Sequence, residues 1–142
     1  MSEAQQALAR AEKTIEEGHR EIRAILEILC TSTNMAELND TLGRLCEVLA
    51  LHFLKEEEPD GFFASLAGCA PERHSEVAAL QQEHAQIKEA LLRLCKTAAQ
   101  PGMNHVAVHA VSGTLVKALR EHEQREHELA RAAAQGMATT AL

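Results

Sequence analysis

Apolar residues recur along this chain at steps of three, four and seven, the spacing of one face of an α-helix. The first run is Leu8, Ala11, Ile15, Ile22, Ile25, Leu26 and Leu29, and the second is Leu38, Leu42, Leu45 and Leu49. The third is Val77, Leu80, Ile87, Leu91 and Leu94, and the fourth is Val108, Val111, Leu115 and Leu119. Around them lie Ala, Leu, Glu, Gln, Lys and Arg, all strong helix formers. The pattern predicts four amphipathic helices over about 3–30, 35–57, 72–99 and 103–134.

The breaks between them carry turn chemistry. Asn34 in TSTN, with Glu37 three residues on, resembles a capping box. Pro59, Pro71 and Pro101 each have Gly or Asp nearby, which marks loops. Short connections between four such helices predict an all-α, antiparallel up-down-up-down four-helix bundle. The one longer connection is 58–71, where FFASLAG is expected to form an extra turn on a bundle end. A single domain is expected over 1–142, with its core at about 5–132 and a flexible small-residue tail at about 135–142.

Composition narrows the function. The chain has 142 residues and a net charge of −7, which disfavours nucleic acid and anionic membranes as partners. No apolar run approaches a membrane span, and the opening MSEAQQALARAEK has no apolar stretch of a secretory signal, so a cytoplasmic protein is expected. Cys30, Cys46, Cys69 and Cys95 form no C-x-x-C pair, and Cys30, Cys46 and Cys95 fall among Leu and Ile as small hydrophobes. Eight His are many for this length, and His is the commonest metal ligand.

The two halves of the chain repeat each other. His19-x-x-Ile22-Arg23-x-x-Leu26-x-x-x-Cys30 matches His84-x-x-Ile87-Lys88-x-x-Leu91-x-x-x-Cys95. Gly43-x-Leu45-x-x-x-Leu49-x-x-His52-x-x-x-Glu56 matches Gly113-x-Leu115-x-x-x-Leu119-x-x-His122-x-x-x-Glu126. Helical periodicity accounts for the Leu but not for the His and Glu. A pseudo-two-fold pair of helical hairpins is the simplest explanation.

Residues four apart on a helix share a face, offset by about 40°. His52 and Glu56 therefore point together, as do His122 and Glu126, and all four histidines continue the apolar seams. One His-x-x-x-Glu alone would read as a surface pair worth ~0.2–0.5 kcal/mol. Four imidazoles and two carboxylates turned inward need a compensating charge, from either a proton-sharing network or cations, because an unpartnered buried carboxylate costs several kcal/mol. Two metal ions supply it, and this donor set suits iron. His105 and His109 read as a surface pair, His74 and His127 as solvent-facing, and Glu57, Glu58 and Glu121 as surface charges. Glu123, next to His122, is a possible extra metal ligand.

The order His…His-x-x-x-Glu…His…His-x-x-x-Glu resembles the hemerythrin-like, or HHE cation-binding, family over about residues 10–130. His52-Phe53-Leu54-Lys55-Glu56-Glu57, Glu83-His84 with Ile87, and His122-Glu123-x-x-Glu126 carry the likeness. The resemblance implies an oxo- or hydroxo-bridged centre of two iron ions. His19, His52, His84 and His122 would be terminal ligands, with Glu56 and Glu126 bridging. Oxygen-carrying members have a fifth His one turn from the third-helix ligand, where this chain has Leu80 and Lys88. Ferritin-like proteins place Glu-x-x-His on two helices, and only Glu16-x-x-His19 fits that order here. The expected function is binding of dioxygen or a related diatomic, in oxygen, redox or nitric oxide sensing or in iron handling. A di-iron redox enzyme of oxidase, peroxidase or nitric oxide reductase type is the alternative, and a metal-free helical interaction domain is a third.

Overall fold

A computed structural model describes residues 2–140 of the chain, with side chains to residue 136. It contains α1 (Glu3–Thr31), α2 (Met35–Glu57), α3 (Phe62–Cys69), α4 (His74–Ala98) and α5 (His105–Thr140). A 3₁₀ turn at Pro71–Arg73 leads into α4, and no strand occurs among the described residues. The four long helices are the four expected, arranged so that α1 packs on α2 and α5, and α4 on α2 and α5. α5 stays helical to Thr140, through part of the stretch expected as a flexible tail. Its last two residues lie outside the described ones.

Local chemistry sets the ends. Ser2 and Gln5 form a reciprocal capping box, with Gln5 N–H donating to Ser2 Oγ at 3.1 Å and Ser2 N–H to Gln5 Oε1 at 2.9 Å. At α2, Asn34 Oδ1 accepts from Glu37 N–H at 3.0 Å, so Asn34 is the N-cap. Asn34→Ala is expected to cost about 1 kcal/mol, read as a lower denaturant midpoint at unchanged slope. Asn104 caps α5 in the same manner, accepting from Ala107 N–H at 3.0 Å.

The FFASLAG segment forms more than a turn: it is the eight-residue helix α3. Gly61 lets the chain double back there, since a Cβ would lie 2.2 Å from the Lys55 carbonyl oxygen. Phe62, Phe63 and Leu66 of α3 are buried against Leu8, Ile15, Val77, Leu80 and Leu129. A second and larger apolar cluster fills the other end, with Ile25, Leu29, Leu38, Leu45, Phe53, Leu94 and Leu115 among its members. Two departures from the expected seams appear. Val111 is exposed and the buried Ser112 takes its place, because the seam of α5 steps by four from Val108 and then by three to Leu115. Cys30 also turns outward, whereas Cys46 and Cys95 are half-buried at the α2–α4 contact with sulfurs 3.6 Å apart.

Candidate metal centre

Between the two apolar clusters the seams carry polar residues. On α1, His19 lies between the buried Ile15 and Ile22, and on α4, His84 lies between Leu80 and Ile87. On α2 the seam runs Leu45, Leu49, His52, Glu56, and on α5 it runs Leu115, Leu119, His122, Glu126. All six polar side chains are buried, and both carboxylates have no solvent exposure.

They form two groups. Ligand atoms of His19, His52, Glu56 and Glu126 all lie within 4.8 Å of one another, and so do those of Glu56, His84, His122 and Glu126. Glu56 and Glu126 belong to both. Each imidazole turns Nε2 inward. His19 Nε2 donates to Glu126 Oε1 at 3.1 Å, and His84 Nε2 lies 3.1 Å from Glu56 Oε1 without hydrogen-bond geometry. His52 and His122 Nε2 stand 3.5 and 3.6 Å from the carboxylate one turn on.

Five buried side-chain polar atoms lack a hydrogen-bond partner among the described residues: Glu56 Oε1 and Oε2, His84 Nε2, His122 Nε2 and Glu126 Oε2. Every one belongs to these two groups. Leaving buried donors and acceptors unpaired costs about 1–3 kcal/mol apiece, and more for charged groups. Their gathering in this one cluster of buried His and Glu fits a place built to hold a cation. Imidazole and carboxylate donors without thiolate suit iron, manganese or zinc. Burial pushes the His52 imidazole down to about 3, aided by the other histidines, and His122 to about 4 against the opposing pull of Glu83. Both are thus neutral at pH 7, the form that binds a cation. Burial raises Glu56 above the usual carboxylate range, and His84 pulls the other way.

The outer nitrogens of two rings are held by carboxylates to which the sequence pattern gave no such role. His84 Nδ1–H donates to Glu57 Oε1 at 2.6 Å, and His122 Nδ1–H donates to Glu83 Oε1 at 2.7 Å. Arg125 braces Glu83 at 2.8 Å. Because these carboxylates only accept, they fix the proton on Nδ1 and leave the Nε2 lone pair aimed inward. Glu57 therefore does more than decorate the surface. Glu123, expected as a possible extra ligand, joins neither group. It lies on the outer side of His19, with Oε1 3.6 Å from Nδ1, and is hydrogen-bonded to Arg23. Its position on α5, one residue past His122, rotates it by about 100° from the inward face.

His74 and His127 are exposed, as expected. His105 and His109 are half-buried rather than a free surface pair, and His109 Nε2–H donates to the Ser32 carbonyl at 2.8 Å, tying α5 to the end of α1. Phe53 stacks on His84 with ring centroids 3.8 Å apart, and the Lys88 ammonium sits 5.9 Å over the same Phe ring. Leu80, the other position of interest beside His84, is buried in apolar contacts.

No curated protein and no solved structure matches the chain. A family model does, that of the hemerythrin HHE cation-binding domain, over residues 10–134. This stretch takes in all six buried His and Glu and most of the bundle, and the chain belongs to the hemerythrin HHE cation-binding family.

Proposed function

We propose that this chain holds two iron ions and binds dioxygen or a related small diatomic at them, in oxygen, redox or nitric oxide sensing or in iron handling. The observation that carries this is the sharing of the buried Glu56 and Glu126 between two four-residue groups, each with its ligand atoms within 4.8 Å of one another. Two iron ions would supply reversible redox chemistry and open coordination positions for a diatomic ligand. The protein's part is to prepare the place. Glu56 and Glu126 would span both positions, and the neutral His52 and His122 rings turn Nε2 toward them. Glu57 and Glu83 hold two of the rings in orientation, while Phe53, Leu80 and Phe63 keep bulk water away. Neither Leu80 nor Lys88 adds an imidazole, which leaves the His84 and His122 position with two nitrogen donors from protein. The net charge of −7 disfavours nucleic acid and anionic membrane as partners, and among the described residues no helix is long and apolar enough to cross a membrane.

Optical spectroscopy tests the metal directly. The chain has no Trp and no Tyr, so the apoprotein is nearly transparent at 280 nm. The oxidised iron-loaded protein is expected to show a near-ultraviolet band with almost no protein absorbance beneath it. The band should bleach with dithionite and disappear with a chelator in denaturant. A colourless protein that retains zinc after reconstitution with ferrous iron would refute the di-iron reading while leaving the bundle intact. Adding dioxygen to the anaerobic ferrous protein then separates roles: a stable, reversible spectrum supports ligand binding, and continuous consumption of reductant supports a redox enzyme.

A further inference from the structure

The repeat aligns His19 with His84 and His52 with His122, and so aligns Gly18 with Glu83. These two residues differ in what they do for the histidine across from them. Glu83 accepts from His122 Nδ1 at 2.7 Å and is itself held by Arg125. Gly18 abuts His52 so closely that a Cβ would stand 2.3 Å from Nδ1 and 2.9 Å from Cε1. The first half thus puts a ring where the second half has a carboxylate. Among the described residues no carboxylate lies within 4.0 Å of His52 Nδ1; its one such contact is Glu56, through Nε2, at 3.5 Å.

The same inequality holds for the other two histidines. His84 Nδ1 is 2.6 Å from Glu57. His19 Nδ1 is 3.6 Å from Glu123 and 3.7 Å from Glu16, and both of those carboxylates are already engaged by Arg23. Outer partners of this kind raise ligand basicity and lock ring orientation, and losing one costs about 10–100-fold in metal affinity.

We infer that the two metal positions are unequal: the one built on His84 and His122 retains its ion, and the one built on His19 and His52 exchanges it, with Gly18 as the positioning residue that makes room for His52. This inference rests on the two-metal function proposed above, and it concerns retention rather than which metal is native. Gly18 contributes by absence. It admits the His52 ring against the α1 backbone, at the price of the carboxylate that its counterpart supplies.

The experiment uses the full chain and cobalt(II) alone as the probe. Apoprotein is loaded, and loss of cobalt to excess chelator is followed by its visible absorbance and by metal analysis. Two ions per chain are expected, leaving in two phases whose rates differ by at least about tenfold. Glu83→Ala is expected to speed the slow phase by about 10–100-fold, and Glu83→Gln, whose carbonyl oxygen still accepts from Nδ1–H, to restore most of it. Gly18→Ala is expected to bind one ion, released at the wild-type slow rate, with helical circular dichroism unchanged. A wild-type protein that binds no cobalt refutes the metal-binding function itself. One that binds two and releases them in a single phase refutes only the inequality. Gly18→Ala that keeps both ions, or loses both while still helical, overturns the role given to Gly18. If that variant does not fold, Glu83→Ala decides the matter: an unchanged slow phase refutes the inference.

Discussion

Glu56→Ala is expected to abolish stable binding at both positions, not just one, while the bundle remains folded. Glu56 has no solvent exposure, belongs to both four-residue groups, and has two oxygens without hydrogen-bond partners. Removing it takes one anionic donor from each ion at once. The apoprotein loses little by the change. A cavity costs some stability, but a buried carboxylate lacking a partner was itself costly, and the two effects oppose each other. The metal-loaded protein behaves differently. An ion present at a thousand times its dissociation constant stabilises the wild type by ~4 kcal/mol. For a chain of this size that is a rise in Tm of roughly 10–15 °C. Glu56→Ala should show almost none of that rise and less than one ion per chain by metal analysis. A variant that still binds two ions would mean that Glu56 does not bridge.

The largest loss of apoprotein stability is expected at Phe53. Its ring is 1% exposed, stacks on His84 at 3.8 Å, and meets His122 edge-on at 5.9 Å. Phe→Ala at a fully buried site costs about 3–5 kcal/mol, from lost transfer energy and the cavity left behind. Set against the ~5–15 kcal/mol that holds a typical domain together, this is a large fraction. Phe53→Leu, which fills most of the volume, should cost about 1 kcal/mol. Urea denaturation of the apo variants measures both. The cavity also frees the His84 ring on one face, so the loaded Phe53→Ala protein should release metal faster than the wild type. An alanine variant within about 1 kcal/mol of wild type would show that Phe53 is not part of the packed core.

The bundle was legible in the sequence because its seams are long and regular. Four runs of Leu, Ile and Val with steps of three and four, broken by Pro, Gly and Asn, leave few other arrangements. The six inward residues were legible because His and Glu continue those seams, and because the pattern occurs twice. What escaped were the contacts that side chains beside the seams make with neighbouring helices. Glu57 and Glu83 sit beside inward residues but point sideways, and only the packing of α2 on α4 and of α4 on α5 brings them to His84 and His122. Glu123 carries the opposite lesson, since adjacency to His122 in sequence suggested a ligand and helical rotation turned it toward Arg23. Val111 and Ser112 exchange roles because the seam advances by four at that point, a choice that local sequence leaves open. The signal for Glu57 lay in its place directly after Glu56, where an acid at a sideways position can reach the neighbouring helix.

The sharing of carboxylates also bears on how the two hairpins depend on each other. His19, His52 and Glu56 come from the first hairpin, and Glu126, which completes their group, comes from the second. The second hairpin brings His84, His122 and Glu126 and borrows Glu56 in return. Neither hairpin owns a finished set, so a chain severed between them would yield two three-donor fragments that regain a full set only by docking. An ion at either place is then a clasp between sequence-distant halves, and its grip resists their separation as much as it fills a site.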